Sequence, residues 1–296
     1  MSKKQRTLAK PVDIDGIGLF FGRPVSLRCL PAEANTGIVF VRTDLHGRPS
    51  VPATIEYLLG PQRWTAIRNG EAEVFMIEHL LAAAVGLGID NMTVETDAAE
   101  MPIGDCSATA YVEPFLAAGA KELDEPQRTL HLPHPLSVSE SDIALMAAPQ
   151  ENALTVTYTL DYGQHFLRTE TGTFTIDQET FVRDIAPART YVLRPEVDAF
   201  LKQGLGKGAS PENTIVLEEN GDTSIDLRFP DECVRHKILD LIGDLFLAGG
   251  RLAARILAYK SGHGTNVQLA RKIRETCLTP AHQPTGNDRK QAHANH

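Results

Sequence analysis

Paired cysteines are missing: Cys29, Cys106, Cys233 and Cys277 stand apart, with no CxxC motif among them. That spacing excludes a disulfide framework and a thiolate zinc site, and it fits a reducing cytoplasm. Basic charge is also scarce. Lys and Arg number 29 against 38 Asp and Glu, a net charge of -9, which argues against nucleic-acid binding because phosphate backbones are held by clustered cations. No apolar run approaches the roughly 18 residues a membrane span needs, and the start, MSKKQRTLAKPVDIDG, lacks the apolar core of a signal peptide. The expectation is a cytoplasmic protein with no transmembrane segment. HExxH, an EF-hand loop and a P-loop are all absent, and the glycines of GIGLFFG are wrongly spaced for a dinucleotide turn. Protease, calcium, kinase and dehydrogenase readings lose their support.

What is there describes a globular chain: 42% hydrophobic and 23% charged residues, over a length of 296 that suffices for two domains. VSLRCL and GIVFVRTDL read as strands, MIEHLLAAAVGLGI as a helix, NMTVETDA as a strand and ATAYVEPFLAAGAKEL as a second helix. The polar, proline-containing stretch near 122–135 marks a boundary. Beyond it the pattern restarts with the strands IALMAAP, LTVTYTLDY and GTFTI. A helix at 232–250, the strand AARILAYKSGH and the helix NVQLARKIRET complete it. The expected fold class is α+β, with two similar domains at 1–125 and 126–277 and a site between them. Residues 191–220 read as an insertion with one helix, a glycine-rich turn and a strand, and 278–296 as a polar, disordered tail.

The helix ECVRHKILDLIGDLFLAGG carries the chemistry. At about 100° per residue, positions four apart stack one turn above another, so His236, Asp240 and Asp244 form one polar line on an otherwise apolar helix. A solvated face is the bland reading, but such faces normally carry long mixed charges, whereas these are short acceptors beside Gly243. Buried carboxylates need compensation, and His plus Asp four apart is a usable pair of Zn²⁺ ligands. A catalytic zinc takes a third protein ligand and keeps a position open for water. IEHLLAAA offers His79, with Glu78 beside it as a general base, although Glu-His alone reads equally as an acidic first turn. In YKSGHG, His263 is a candidate general acid oriented by Asp244; alone, SGH is an ordinary loop. Thr190 of APARTYVL is a weak candidate donor to an oxyanion.

Taken in order, KQRTL, RTDL, IEHLLAAAVGLGIDN, MPIGDCSA, ARTY, GLGKGASPENTIVL, RHKILDLIGDLFL and YKSGH resemble the UDP-3-O-acyl-N-acetylglucosamine deacetylases, zinc amidases of lipid A biosynthesis, over residues 4 to about 275. The resemblance implies two α+β domains, each a sheet packed on paired helices, with the metal site between. It implies His79, His236 and Asp240 as ligands of one Zn²⁺, for which Fe²⁺ is also chemically suited. Glu78 is then the base, His263 the acid backed by Asp244, and Thr190 an oxyanion donor. It further implies Lys237 and Lys260 facing the substrate diphosphate, Tyr191 at a position usually Phe, and Asp161 with Tyr162 where an aromatic ring stacks on uracil. The insertion matches the apolar passage for the 3-O-acyl chain. The expected partner is a small acylated nucleotide sugar, and the expected state a monomer.

Several positions depart from the family pattern. Phe20 and Phe21 replace a polar pair after GIGL, Ile143 stands where some members have lysine, Cys106 replaces a usual glycine, and Met76 a small polar residue. The first three remove polarity expected near the nucleotide. They leave open a second reading, a related zinc deacetylase acting on a different N-acetylated sugar.

Overall fold

A computed structural model describes residues 3–60, 63–163 and 167–278. The chain begins with β1 (Lys4–Leu8), β2 (Val12–Ile17), β3 (Pro24–Pro31), β4 (Ile38–Arg42), β5 (Ser50–Pro52) and the hairpin of β6 (Ala66–Asn69) and β7 (Ala72–Phe75). Helix α1 (Glu78–Leu87), β8 (Met92–Thr96) and α2 (Thr109–Ala118) follow. Next come β9 (Ala120–Pro126), β10 (Thr129–His131), β11 (Leu136–Glu140), β12 (Ile143–Pro149), β13 (Leu154–Leu160) and β14 (Glu170–Ile176). The short α3 (Gln178–Thr180) runs into a π turn at Phe181–Ile185, then β15 (Tyr191–Leu193), α4 (Arg194–Lys202) and β16 (Ile215–Leu217). Helix α5 (Glu232–Phe246), β17 (Arg251–Tyr259) and α6 (His263–Leu278) close the described chain.

Two sheets dominate this mixed α+β fold. One has the order β2-β3-β8-β4-β5, and the other β11-β12-β17-β13-β14, with β10 alongside the start of β17. Their strands follow the two-residue period: Val25, Leu27 and Cys29 of β3 turn inward while their neighbours face out. Between β13 and β14, Thr155, Thr157 and Thr159 lie opposite Thr175, Thr173 and Thr171. The hydroxyls of the three pairs are 3.1, 3.0 and 2.9 Å apart, a β-branched ladder suited to a pleated surface.

Helices α1 and α5 lie together at the centre. Every residue of α1 except Val85 is buried, as a helix that is apolar all round after Glu78 and His79 requires. It stops at Gly88, whose left-handed φ of 76° lets its N–H return to Ala84 and Val85. In α5 only Arg235 and Lys237 escape burial. The two helices approach closely at Gly243, where a β-carbon would come 2.1 Å from the Glu78 carbonyl oxygen. The glycine therefore makes room for α1. This crossing sets the first turn of α1 against the middle of α5.

Four local expectations change. Helix α2 ends at Ala118 because Gly119 turns left-handed (φ 73°), and residues 120–126 form a strand antiparallel to β1. The anticipated boundary at 122–135 is occupied by the end of β9 and by β10, which pairs in parallel with β17. The chain thus passes between its halves through hydrogen-bonded strands. The insertion holds two strands, since β15 and β16 pair in parallel around α4. His263 opens α6 and does not trail a strand in a loop. The expected tail beyond Leu278 lies outside the described residues.

Candidate active site

The first turn of α1 supplies Glu78 and His79, each 2% exposed. Against them α5 presents His236 and Asp240, also buried. The His79 Nδ1 lies 3.3 Å from the Ser107 carbonyl and the His236 Nδ1 3.1 Å from that of Ala188. A carbonyl only accepts, so both Nδ1 atoms carry the proton and both Nε2 lone pairs are free. Those Nε2 atoms point at Asp240 Oδ1, at 3.7 and 3.3 Å, and the three ligand atoms lie within 4.8 Å of one another.

The electrostatics suit a cation. Burial and the neighbouring His236 push His79 down to about 4, and burial likewise lowers His236. Both imidazoles are then neutral, the form that ligates metal. Burial alone would raise Asp240, but His236, Lys237, His263 and His79 together hold it far below the usual carboxylate range. Two neutral imidazoles and one carboxylate form a three-residue donor set that leaves a coordination position open. The solvated-face reading of the α5 stripe fails, since His236, Asp240 and Asp244 are 2%, 3% and 0% exposed.

The acid and base sit on either side. Burial pushes Glu78 up to about 8, with His263 opposing and Asp244 and Asp240 reinforcing the rise. A carboxylate with such proton affinity can act as a base near neutrality. His263 Nδ1 meets Asp244 Oδ2 at 2.9 Å, leaving Nε2 at 3.9 Å from both Glu78 Oε1 and Asp240 Oδ2. Burial disfavours the imidazolium, yet the charge and hydrogen bond of Asp244 outweigh it and push His263 up to about 9. His263 thus holds a proton to give, while Glu78 is placed to take one.

Glu78, His79, His236, Asp240 and His263 line a cavity that also includes Thr190 and Tyr191. Thr190 is fixed through its backbone, its N–H donating to the Cys106 carbonyl at 2.8 Å and its own carbonyl accepting from Ile215 at 3.2 Å. Leu19, Phe20, Val197, Phe200 and Leu201 add apolar wall to the same cavity, with Arg63 4.9 Å over the Phe200 ring. The 191–220 insertion therefore forms cavity wall. Phe20 lies 4.4 Å, ring to ring, from Trp64 and 6.1 Å from Phe200. Its replacement of a polar residue enlarges this aromatic wall.

The remaining expected substrate residues divide. Tyr191 lines the cavity, its ring centroid 6.3 Å from that of His236 and its hydroxyl 2.9 Å from that of Tyr162. Lys237 donates to Asp240 Oδ2 at 2.8 Å; against the cost of burial, Asp240 and the two tyrosines Tyr158 and Tyr162 raise its pKa. Its ammonium engages the carboxylate of Asp240, one of the three residues that could hold a metal ion. Lys260 binds Asp142, and Asp161 accepts from Tyr259 and the Gly163 N–H at 2.8 Å each; neither lines the cavity. Ile143 sits in β12, paired with Glu140.

Sequence reasoning missed three supports. Thr65 donates its hydroxyl to Asp244 Oδ1 and its N–H to Glu78 Oε2 at 3.1 Å. Asn266 donates to Asp244 Oδ2 at 2.9 Å; its place three residues after His263 on a helix was the available signal. Glu232 accepts from the Arg189 N–H at 2.9 Å and its guanidinium at 2.8 and 3.1 Å, as well as from Arg228 N–H. This buried pair ties the ARTY segment to the start of α5, and so holds the Ala188 carbonyl over His236. Cys106 takes a φ of 65°, the left-handed region that explains why glycine is usual there.

Fold and site together define an α+β protein with a buried two-histidine, one-aspartate metal-type centre flanked by an acid and a base. The profile of the UDP-3-O-acyl N-acetylglycosamine deacetylase (LpxC) family matches residues 5–275. The chain is 39% identical over 277 residues to the UDP-3-O-acyl-N-acetylglucosamine deacetylase of Chlamydia abortus, covering 93% of this chain and 98% of that protein. Deacetylases of the same name from Actinobacillus succinogenes and Bdellovibrio bacteriovorus are 39% and 37% identical, over 92% and 96% of this chain and 90% and 94% of theirs. The chain belongs to the UDP-3-O-acyl-N-acetylglucosamine deacetylase family.

Proposed function

We propose that this protein is a zinc-dependent N-deacetylase that hydrolyses the acetamide of UDP-3-O-acyl-N-acetylglucosamine, releasing acetate, in lipid A biosynthesis. The observation that carries the reading is the convergence of Glu78, His79, His236, Asp240 and His263 on a cavity that Leu19, Phe20, Val197, Phe200 and Leu201 also line. Family membership and the names of the relatives support the substrate. His79, His236 and Asp240 would hold the metal, which when bound supplies a Lewis acid for the amide carbonyl and acidifies water.

The protein's own groups divide the proton work. Glu78 takes the proton from the attacking water as its oxygen bonds to the acetyl carbon. The Thr190 hydroxyl donates to the oxygen that gains charge. His263, charged through Asp244, passes its proton to the nitrogen as the C–N bond breaks, and acetate and the free amine leave. Tyr162 and Tyr191 are proposed to border the nucleotide, and Phe20, Phe200 and Leu201 the 3-O-acyl chain. We also read 1–125 and 126–277 as two domains of a cytoplasmic monomer, testable by limited proteolysis, fractionation and sedimentation.

Acetate release from the UDP-linked 3-O-acylated sugar, with stoichiometric zinc in the purified protein, tests the reading. Wild-type turnover lost in Glu78→Ala is expected. No turnover by wild type, or unchanged turnover in the variant, overturns it. Equal rates on the same sugar lacking UDP would remove the nucleotide from the proposal.

A further inference from the structure

Thr65 precedes β6 and comes from the amino-terminal half, yet it touches both proton-transfer groups or their partners. Its backbone N–H donates to Glu78 Oε2 at 3.1 Å. Its hydroxyl donates to Asp244 Oδ1 and lies 3.3 Å from His263 Nδ1. The residue is 1% exposed, so no water competes freely for these bonds.

Asp244 is completely buried and accepts from three side chains: Thr65 on one oxygen, His263 and Asn266 on the other. The Thr65 hydroxyl holds Oδ1, and so sets the plane of the carboxylate. That plane determines where Oδ2 meets the imidazole. The Thr65 N–H at the same time occupies Glu78 Oε2, leaving Oε1 as the oxygen nearer His263 Nε2. Of the described residues, Thr65 alone hydrogen-bonds both Glu78 and Asp244 through donated protons.

We infer that Thr65 is a positioning residue that aligns base and acid with each other, acting through the Glu78 and Asp244 carboxylates without touching substrate. The inference rests on the deacetylase reading for its kinetic expression, though not for its structural one. Valine at 65 keeps the shape and the backbone N–H but removes the hydroxyl, leaving Asp244 Oδ1 without its donor. Serine keeps the hydroxyl.

The test compares wild type, Thr65→Val and Thr65→Ser in two measurements. In steady-state deacetylation, Thr65→Val is expected to lower kcat by roughly 10–100-fold, the usual cost of losing a hydrogen bond behind a working group, with KM little changed. Thr65→Ser should recover most of the loss. If Thr65→Val matches wild type in kcat per folded molecule and differs only in melting temperature, the residue is merely structural and the inference falls. The second measurement needs no turnover: the His263 Nδ1–H proton signal at low field in the zinc-loaded protein. It should be present in wild type and Thr65→Ser, and lost to faster solvent exchange in Thr65→Val. An inactive wild type would overturn the deacetylase reading alone, and this signal would still decide for or against Thr65: unchanged exchange in Thr65→Val refutes its role.

Discussion

Gly243 of α5 lies against the main chain of Glu78 in α1, with no space between them for a β-carbon, which would fall 2.1 Å from the Glu78 oxygen. Glu78 and the helix carrying His236 and Asp240 are thus held in register by an absent side chain. Gly243→Ala must push the helices apart or bend one of them. We expect a loss of about 1–3 kcal/mol in stability, the range for overpacking a close contact. A fall in kcat should accompany it. Urea unfolding and acetate release measure the two effects.

Metal removal should be felt in stability as well as in activity. His79, His236 and Asp240, which could hold a metal ion, already bring their donor atoms within 4.8 Å of one another in the folded chain, and an unfolded chain does not hold them so. Binding to the folded form alone stabilises it by about 2.7 kcal/mol when free metal is 100 times its dissociation constant. Chelation is therefore expected to lower the melting temperature and abolish turnover together, and added Zn²⁺ to restore both. His236→Ala should abolish this zinc-dependent rise in calorimetry.

The Arg189–Glu232 pair is 6% and 0% exposed, and its charges meet at 2.8 Å. Glu232→Gln leaves a buried guanidinium without a counter-charge, at a cost of about 3–5 kcal/mol. Replacing both partners with apolar residues should cost less than either single change. A double-mutant cycle in urea gives this directly. Because the pair holds the Ala188 segment against α5, we also expect the single variants to bind zinc more weakly.

Glu170, at the start of β14, has a buried Oε2 with no hydrogen-bond partner among the described residues. Burial first, and the charge of Asp231 second, push it up to about 7 from an ordinary 4.5. The folded chain therefore holds a proton that the unfolded chain releases between those values. Stability from this group should be highest below pH 4.5 and fall as pH rises to about 7. Glu170→Gln is expected to gain melting temperature over wild type at pH 8, with the gain shrinking at pH 5.

Much of the site was legible because it follows helical spacing. His236, Asp240 and Asp244 lie one turn apart, and the Lys237 contact with Asp240 also follows that rule, at three residues. Thr65 was not legible, since its partners Glu78 and Asp244 lie 13 and 179 residues away and no local periodicity links them. The Lys260 contact was hidden for a related reason: its long side chain settles on Asp142, a carboxylate 118 residues distant. For β9, AKEL continues a helix-favouring composition, and the left-handed Gly119 that ends α2 outweighed it. The strand then formed because β1 was there to pair with it.

His79 and His236 are both steered by main-chain oxygens, those of Ser107 and Ala188. Every residue type carries such an oxygen, so the tautomer of each imidazole is written in the path of the backbone at these two places and not in the side chain carried there.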